Sequence, residues 1–196
     1  YYFIYILGYI FVCIGTFDEE KIKQGKGVFI WMGAGPDDDE SLVQKAKYEG
    51  NYKDGVRTGV GKMEFPSGDI YEGEWVEGKM NGEGSYTYKN TGDIYSGSWL
   101  ANVKQGYGRY EFGADKSMLV GTWASGELVK GSWELKNFAN YEGEFKSGRP
   151  LGDGKFIFNN GYTQEGNFVE EKNGEEEPEE GTVANVTWAG KSIVKF

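Results

Sequence analysis

The sequence has no histidine, one cysteine and four prolines among its 196 residues. Histidine is the commonest general base, a frequent metal ligand and the usual partner of a catalytic nucleophile. Its absence therefore excludes the active sites that depend on an imidazole. The single Cys13 excludes an internal disulfide and a zinc site with several thiolates, and it is compatible with a reducing compartment. We therefore expect no catalytic residues, no cofactor and no metal site.

The chain also lacks a basic stripe. Its formal net charge is -10, but the excess acid lies in two runs, at residues 37–40 and 170–180, and the remaining sequence is close to neutral. Without clustered lysine and arginine, binding to nucleic acid or to anionic lipid headgroups is disfavoured. The spacing of the first run does not fit an EF-hand loop, which favours a solvated acidic loop.

The first 17 residues carry no charged side chain before Asp18. Their β-branched and aromatic content favours a buried strand. The alternative is a membrane anchor or secretory segment, although the stretch is shorter than the roughly 20 residues of a spanning helix and has no positive flank. The absence of an initiator methionine suggests a fragment or an incomplete gene model.

Glycine and aromatic residues are abundant, with 32 glycines and 16% Phe, Trp and Tyr. They recur as an aromatic-x-Gly-x-aromatic core, whose middle residue is called the central glycine below. The central glycines are Gly50, Gly73, Gly97, Gly121, Gly143 and Gly166, at intervals of 23, 24, 24, 22 and 23 residues. A period this regular predicts a repeat architecture.

A second glycine pair follows four of these cores at offsets of 9 and 11 residues, at Gly59/Gly61, Gly82/Gly84, Gly106/Gly108 and Gly152/Gly154. Gly15 is followed by a pair one residue later than this, which indicates a further repeat before an insertion at 33–47. The pair is missing after Gly121 and Gly166, and we interpret these units as divergent because terminal repeats are often atypical.

The alternation of residue types within each repeat predicts a β-hairpin. Tyr71, Gly73 and Trp75 alternate with Glu72 and Glu74, so an extended strand would place rings and glycine on one face and carboxylates on the other. Gly78 and its counterparts Gly55, Gly126 and Gly148 fall where a tight turn needs positive φ. The predicted fold is all-β, an elongated and twisted antiparallel sheet of about six to seven hairpins.

The glycines also predict how the rings pack. Gly73, Gly82 and Gly84 leave out side chains where large rings on the same face would lie, so each ring is expected to cover glycine backbone. We call this set the aromatic ladder. It comprises Tyr48, Tyr52, Tyr71, Trp75, Tyr95, Trp99, Trp123, Tyr141 and Phe145, with Gly50, Gly73, Gly97, Gly121 and Gly143 beneath them. The alternative role for these rings is direct contact with a partner.

The motif YEGEWxxGKxxGxG in units of about 23 residues resembles the MORN repeat (membrane occupation and recognition nexus), over residues 12–168. Residues 121–168 resemble the closing repeats of the radial spoke head protein 1 family, including the divergent unit after GTW and the segment from Pro150 to Phe156. That family also continues into a glutamate-rich run and a short apolar segment with a tryptophan, here Trp188.

The resemblance implies a non-catalytic scaffold subunit of the radial spoke head in the axoneme of motile cilia and flagella, a cytoplasmic and cytoskeletal location. The implied partners are other radial-spoke head proteins and the central pair apparatus. The charge distribution argues against nucleic acid and disfavours a membrane as a partner. A membrane-proximal MORN adaptor is the alternative. An enzyme with appended repeats is disfavoured because little chain remains outside them.

The predicted domain organisation is an apolar N-terminal part with the first divergent repeat (1–32), an acidic insertion loop (33–47), the repeat array (48–169), an acidic linker (170–181) and a C-terminal segment (182–196). Apolar residues in the last segment could fold back as a cap or add to the edge of a neighbouring sheet. We favour docking on a partner through Val183, Val186, Trp188 and Ile193.

Overall fold

The computed structural model describes residues 2–6, 9–34, 42–136, 138–170 and 186–195. These residues form strands and turns, with no helix among them. The chain divides into two compact units, Tyr1–Val103 (unit 1) and Lys104–Phe196 (unit 2). Within each unit every strand pairs antiparallel with the strands before and after it in sequence, so the predicted all-β hairpin fold is confirmed.

Unit 1 contains eight strands: β1 (Tyr2–Ile6), β2 (Tyr9–Phe17), β3 (Lys23–Ala34), β4 (Leu42–Lys53), β5 (Val56–Glu64), β6 (Ile70–Val76), β7 (Lys79–Thr87) and β8 (Ile94–Leu100). The described residues of the apolar N-terminus thus form strands β1 and β2, in agreement with the strand predicted from its composition. Cys13 is buried there, whereas Ile14 is exposed. The predicted insertion loop overlaps the ends of β3 and β4, and the acidic residues 37–40 lie outside the described residues.

Unit 2 contains seven strands: β9 (Val103–Glu111, with its first residue at the boundary), β10 (Met118–Ala124), β11 (Glu127–Leu135), β12 (Ala139–Lys146), β13 (Arg149–Phe158), β14 (Tyr162–Glu170) and β15 (Val186–Lys195). Within the described ranges no helix has the length and apolar character that a membrane span requires.

Two-residue turns close the hairpins. At Asp54-Gly55 both φ angles are positive, at 51° and 76°, and Glu77-Gly78 repeats the pattern at 50° and 76°. Positive φ at both positions defines the type I′ turn, whose twist matches that of paired strands. The glycines predicted for these turns therefore have the predicted conformation.

Within each unit, one glycine from every described strand except β1 lies in a common register row. In unit 1 the row runs through Gly15, Gly27, Gly50, Gly61, Gly73, Gly84 and Gly97. In unit 2 it runs through Gly108, Gly121, Gly131, Gly143, Gly154, Gly166 and Gly190. We call this feature the glycine row. Because the row residues have no side chains of their own, they leave a channel across each sheet. Aromatic rings from neighbouring positions fill this channel.

The two divergent repeats, which begin around Gly121 and Gly166, keep the glycine row. After Gly121 the partner glycine is Gly131, and one extra residue is accommodated between the paired residues instead of two. After Gly166 the partner is Gly190 on β15, so residues 186–195 supply the second strand of a seventh hairpin. After Gly121 a smaller bulge therefore compensates for the missing glycine pair, since a bulge accommodates unpaired residues while the strands stay paired on either side of it.

Candidate functional site

In three repeats the opening tyrosine, at position 48, 71 or 141, lies over the glycine row. A Cβ added to Gly73 would be 2.5 Å from both the Tyr71 hydroxyl oxygen and the Gly84 Cα, and the Tyr71 ring also covers Gly84. Tyr48 covers Gly50 and Gly61, and Tyr141 covers Gly143 and Gly154, in the same way. Tyr48, Tyr71, Tyr95 and Tyr141 are 0% exposed. A single-layer sheet thus encloses large rings without a second layer of structure.

The hydroxyl groups of these tyrosines have local partners in unit 1. Tyr71 donates to the Glu74 carbonyl oxygen at 3.0 Å, and Tyr48 and Tyr95 donate to the carbonyls of Asn51 and Ser98. Burial raises the pKa of Tyr48 and Tyr95 to about 12 each. Since the neutral phenol can both fill the apolar space and donate, these groups stay protonated across the physiological range.

In three cores the second aromatic residue is a tryptophan that donates a hydrogen bond to the preceding repeat. Trp75 Nε1 donates to the Gly61 carbonyl at 3.1 Å, Trp99 Nε1 to Gly84 at 3.2 Å, and Trp123 Nε1 to Gly108 at 3.1 Å. Each of these carbonyls belongs to the glycine row. Tyr71 then meets Trp75 and Trp99 edge-to-face, with ring centroids 5.2 and 5.5 Å apart. The rings of successive repeats are therefore interlocked.

Gly82 does not lie under a ring, which corrects the packing role predicted for it. Its φ is 68°, and an added Cβ would be 2.7 Å from the carboxylate of Glu74 on the other face. Gly59, Gly106 and Gly152 also have positive φ. The first glycine of each pair thus forms the bulge, while the second lies in the glycine row, and positive φ is the reason for glycine at the bulge.

A position that the sequence analysis missed lies seven residues after the central glycine, and we call it the capping position. It is occupied by Arg57, Met80, Lys104, Leu128 and Pro150, and by Lys23 in the first repeat, where the glycine pair also comes one residue late. Met80 and Leu128 are buried, at 9% and 1% exposure. A count of long side chains at fixed offsets from the central glycines would have found this position.

Where the capping position is basic, the cation lies over rings. Arg57 is 4.6 Å from the ring centroid of Trp75, and Lys23 is 3.9 Å from that of Phe29 and 4.6 Å from that of Tyr52. Lys104 is 4.8 Å from the ring centroid of Trp123. Such cation–π contacts fix the long side chains over the ladder and keep their charges near its surface.

Lys23 and Arg57 line a cavity of about 310 Å³ in unit 1, together with Trp31, Tyr52, Gly55, Val56 and Gly78. A second cavity, of about 410 Å³ in unit 2, is lined by charged residues of both signs, including Arg109, Glu111 and Lys116. In the second cavity Arg109 and Lys116 pair with Glu111 at 2.7 and 3.4 Å. Among the described residues that line the first cavity there is no carboxylate.

The hairpin tips of unit 1 expose a set of apolar side chains that we call the tip row: Ile22, Val56, Val76, Leu100 and Val103. They are 37–56% exposed. The strand ends of unit 1 also include Lys53 and Lys79. The same positions of unit 2 are Ala124, Glu127, Lys146 and Arg149. Exposed apolar side chains that repeat along one edge are typical of interaction surfaces.

The C-terminal segment is folded back on its own chain. Val186, Trp188 and Ile193 lie on β15, which pairs with β14, and Val183 lies outside the described residues. The Trp188 ring packs on Phe168 and Phe156, with both centroid distances at 5.0 Å. This is the cap that the sequence left open as an alternative. Ile193 is 58% exposed and remains free to contact a partner.

Within the described part of the chain, no three His, Cys, Asp or Glu side chains are grouped so that they could hold a metal ion. Beside the first cavity, burial raises the pKa of Tyr52 and lowers the pKa of Lys23. The cavity thus combines rings, paired backbone and two cations.

The model of the MORN repeat family matches four segments of the chain, at residues 48–70, 71–92, 95–114 and 141–161. The matches cover repeats that have the glycine pair at offsets 9 and 11. They identify MORN repeats in the chain and support its description as a MORN-repeat protein. MORN repeats suggest a role in protein interaction or membrane binding. Hairpins β2–β3, β10–β11 and β14–β15 lie outside the matched segments.

Proposed function

We propose that this protein is a non-catalytic scaffold that assembles other proteins, and that it is a subunit of the radial spoke head in motile cilia and flagella. The observation that carries the scaffold role is the enclosure of the aromatic ladder within the sheet. Because the rings and glycines serve internal packing, the surfaces left for function are the tip row, the cavity beside it and the outer strand edges.

The spoke-head assignment is supported by the resemblance of residues 121–168 to the radial spoke head protein 1 family and by the order of features after them. In both, a glutamate-rich run precedes a short apolar segment that contains a tryptophan, which is Trp188 in this chain. The other spoke-head proteins and the central pair apparatus are then the expected partners.

The experiment that tests this proposal is cross-linking with mass spectrometry on demembranated, salt-washed axonemes from the source organism. We expect the chain to be retained after detergent and to cross-link to other radial-spoke proteins through unit 1 tips or strand edges. Absence of the chain from washed axonemes would overturn the spoke-head assignment.

The second candidate is a membrane-proximal adaptor, which the apolar residues 1–17 and the known behaviour of MORN repeats favour. The near-neutral body and the lack of a basic stripe weigh against it, since interfacial binding to anionic lipid depends on such charge. Release of the chain into the detergent fraction, together with flotation on anionic vesicles, would move this candidate to first place.

A further inference from the structure

We propose that the cavity between the first hairpin tips of unit 1 binds a carboxylate-bearing segment of a protein partner, with Lys23 and Arg57 as the residues that hold the carboxylate. The inference rests on the proposed role as a protein-interaction scaffold and names the chemistry of one contact.

Both cations are positioned before any partner arrives. The Gly78 N–H donates to the Arg57 carbonyl at 3.0 Å, and the Arg57 guanidinium donates back to the Gly78 carbonyl at 2.9 Å. The Gly55 N–H likewise donates to the Lys23 carbonyl at 3.0 Å. Each hairpin turn therefore fixes the capping residue of the preceding hairpin, and stacking on Trp75, Phe29 and Tyr52 fixes the side chains.

The two charges face the same cavity and lack an acidic partner there. Among the described residues no carboxylate forms an ion pair with either Lys23 or Arg57. Burial lowers the pKa of Lys23, and the positive charge of Arg57 lowers it further. An incoming anion would relieve this repulsion, and a charge-assisted hydrogen bond to a carboxylate in a partly desolvated site is among the stronger polar contacts.

The rest of the wall favours a carboxylate on an apolar stem over a phosphate. Trp31, Tyr52 and Val56 supply apolar surface, and no serine, threonine or asparagine is among the described residues of the wall. The cavity opens beside Ile22 and Val56 of the tip row, where a peptide could place the apolar side chains that flank its acidic residue. A glutamate between apolar residues in an extended segment fits both features.

The test is a fluorescence anisotropy titration of the intact protein with a labelled, end-blocked octapeptide of alternating leucine and glutamate, and with its glutamine counterpart. We expect the glutamate peptide to bind at least about tenfold more tightly than the glutamine peptide. Equal binding of the two peptides, or no binding of either, would overturn the proposal.

The chain itself offers matched variants, since Met80 occupies the capping position of another repeat. Lys23→Met and Arg57→Met are each expected to weaken binding of the glutamate peptide by about tenfold or more. Lys104→Met removes the same kind of stacked cation in unit 2 and should leave the affinity within about twofold. A similar loss in all three variants would show a nonspecific effect of net charge and contradict the assignment.

A cross-link on the unaltered protein keeps the test independent of variant folding. A carbodiimide activates a glutamate carboxylate of the peptide, and attack by the Lys23 amine forms an amide with release of the corresponding urea. We expect Lys23 to be the main site by mass spectrometry. Labelling of lysines in proportion to their exposure, or displacement of the peptide by inorganic phosphate at matched ionic strength, would reject a carboxylate site.

Two further outcomes separate this inference from the proposed function. Peptide binding by a chain that is absent from washed axonemes would overturn only the spoke-head assignment. Axonemal cross-links without peptide binding would overturn only the carboxylate site. If replacing the acidic residues 37–40 with their amides increases peptide affinity about tenfold, the occupant is the chain's own acidic run and the partner proposal fails.

Discussion

The two units build the same glycine row and cover it differently. In unit 1 each core pairs a tyrosine with a tryptophan or a second tyrosine. The phenols of Tyr48, Tyr71 and Tyr95 each donate to the carbonyl three residues on. In unit 2 the ladder contains Phe145, Phe156 and Phe168, the Tyr141 hydroxyl has no partner among the described residues, and Trp188 comes from the C-terminal strand.

This difference shows which part of the repeat is fixed by geometry. The glycine row is unchanged in both units because the rings need a channel free of side chains. The rings can vary, since any flat apolar group fills the channel, and the hydrogen bonds vary with them. Unit 1 also has the apolar tip row, beside Lys53 and Lys79, and the two-cation cavity, whereas Ala124, Glu127, Lys146 and Arg149 occupy the strand ends of unit 2. Unit 1 therefore has more features of a docking surface.

The largest expected difference between the units is in alkaline stability. Burial raises the pKa of six tyrosines in unit 1, whereas Tyr141 has such a shift in unit 2; the six are Tyr48, Tyr52, Tyr71, Tyr86, Tyr88 and Tyr95. An unfolded phenol ionises near about pH 10, whereas Tyr48 and Tyr95 stay neutral in the fold up to about pH 12.

The unfolded state thus releases protons that the folded state retains, so the free energy of unfolding falls as pH rises above about 10 and is unaffected by these groups below it. We expect unit 1 to become protease-sensitive at lower pH than unit 2. Pulse proteolysis with subtilisin between pH 10 and 12, with mapping of the cut sites, measures this. Earlier cleavage in unit 2 would contradict the comparison.

The next largest effect is expected from side chains placed in the glycine row. Gly73→Val would drive a side chain into Gly84 and the Tyr71 hydroxyl, each 2.5 Å from the new Cβ, and should cost about 3 kcal/mol of unfolding free energy. Gly121→Val in unit 2 would meet the Lys130 carbonyl and Gly131 and should cost a similar amount.

Urea unfolding of the two variants measures whether a side chain in the glycine row lowers the free energy of unfolding equally in both units. Glu74→Gln is the control on the opposite face: it keeps the oxygen that accepts from the Glu83 N–H at 3.0 Å, and should change stability by less than about 0.5 kcal/mol. A costly Glu74→Gln beside a harmless Gly73→Val would reverse the assignment of the faces.

A smaller effect is expected from the interlocking tryptophans. Trp75→Phe removes the donor to the Gly61 carbonyl and part of a buried ring, so we expect a loss of about 1–2 kcal/mol. Trp133 in unit 2 has a buried Nε1 without a partner in the described structure, and Trp133→Phe should therefore cost less. Thermal melts of both variants decide the order, and equal losses would show that the bond to the row contributes nothing.

The smallest expected effect comes from removing one tyrosine hydroxyl group in each unit. Tyr71→Phe deletes the donor to the Glu74 carbonyl and should lower the free energy of unfolding by about 1 kcal/mol. Tyr141→Phe removes a buried hydroxyl that has no partner and should be neutral or stabilising. Chemical denaturation of the pair suffices, and destabilisation by Tyr141→Phe as large as that by Tyr71→Phe would reject the difference between the units.

Much of the fold could be predicted from the chain, because alternation of rings and carboxylates and glycine at tight turns are local signals. Tyr71, Trp75 and Gly78 each have the predicted face or turn. Gly82 could not be assigned correctly, since its role depends on the two extra residues in the bulge and not on strand parity. The cavity residues Lys23 and Arg57 were missed because residues distant in sequence meet only through the register of neighbouring hairpins.

The sequence by itself determined the hairpin unit, its period and the need for glycine beneath the rings, because these follow from the two-residue alternation of a strand and the size of an aromatic side chain. Tertiary structure decided which glycines share the row, and it paired Gly166 with Gly190 across the acidic run. It also brought Lys23 and Arg57 to one cavity. Register is a property of paired strands, so no single segment could specify it.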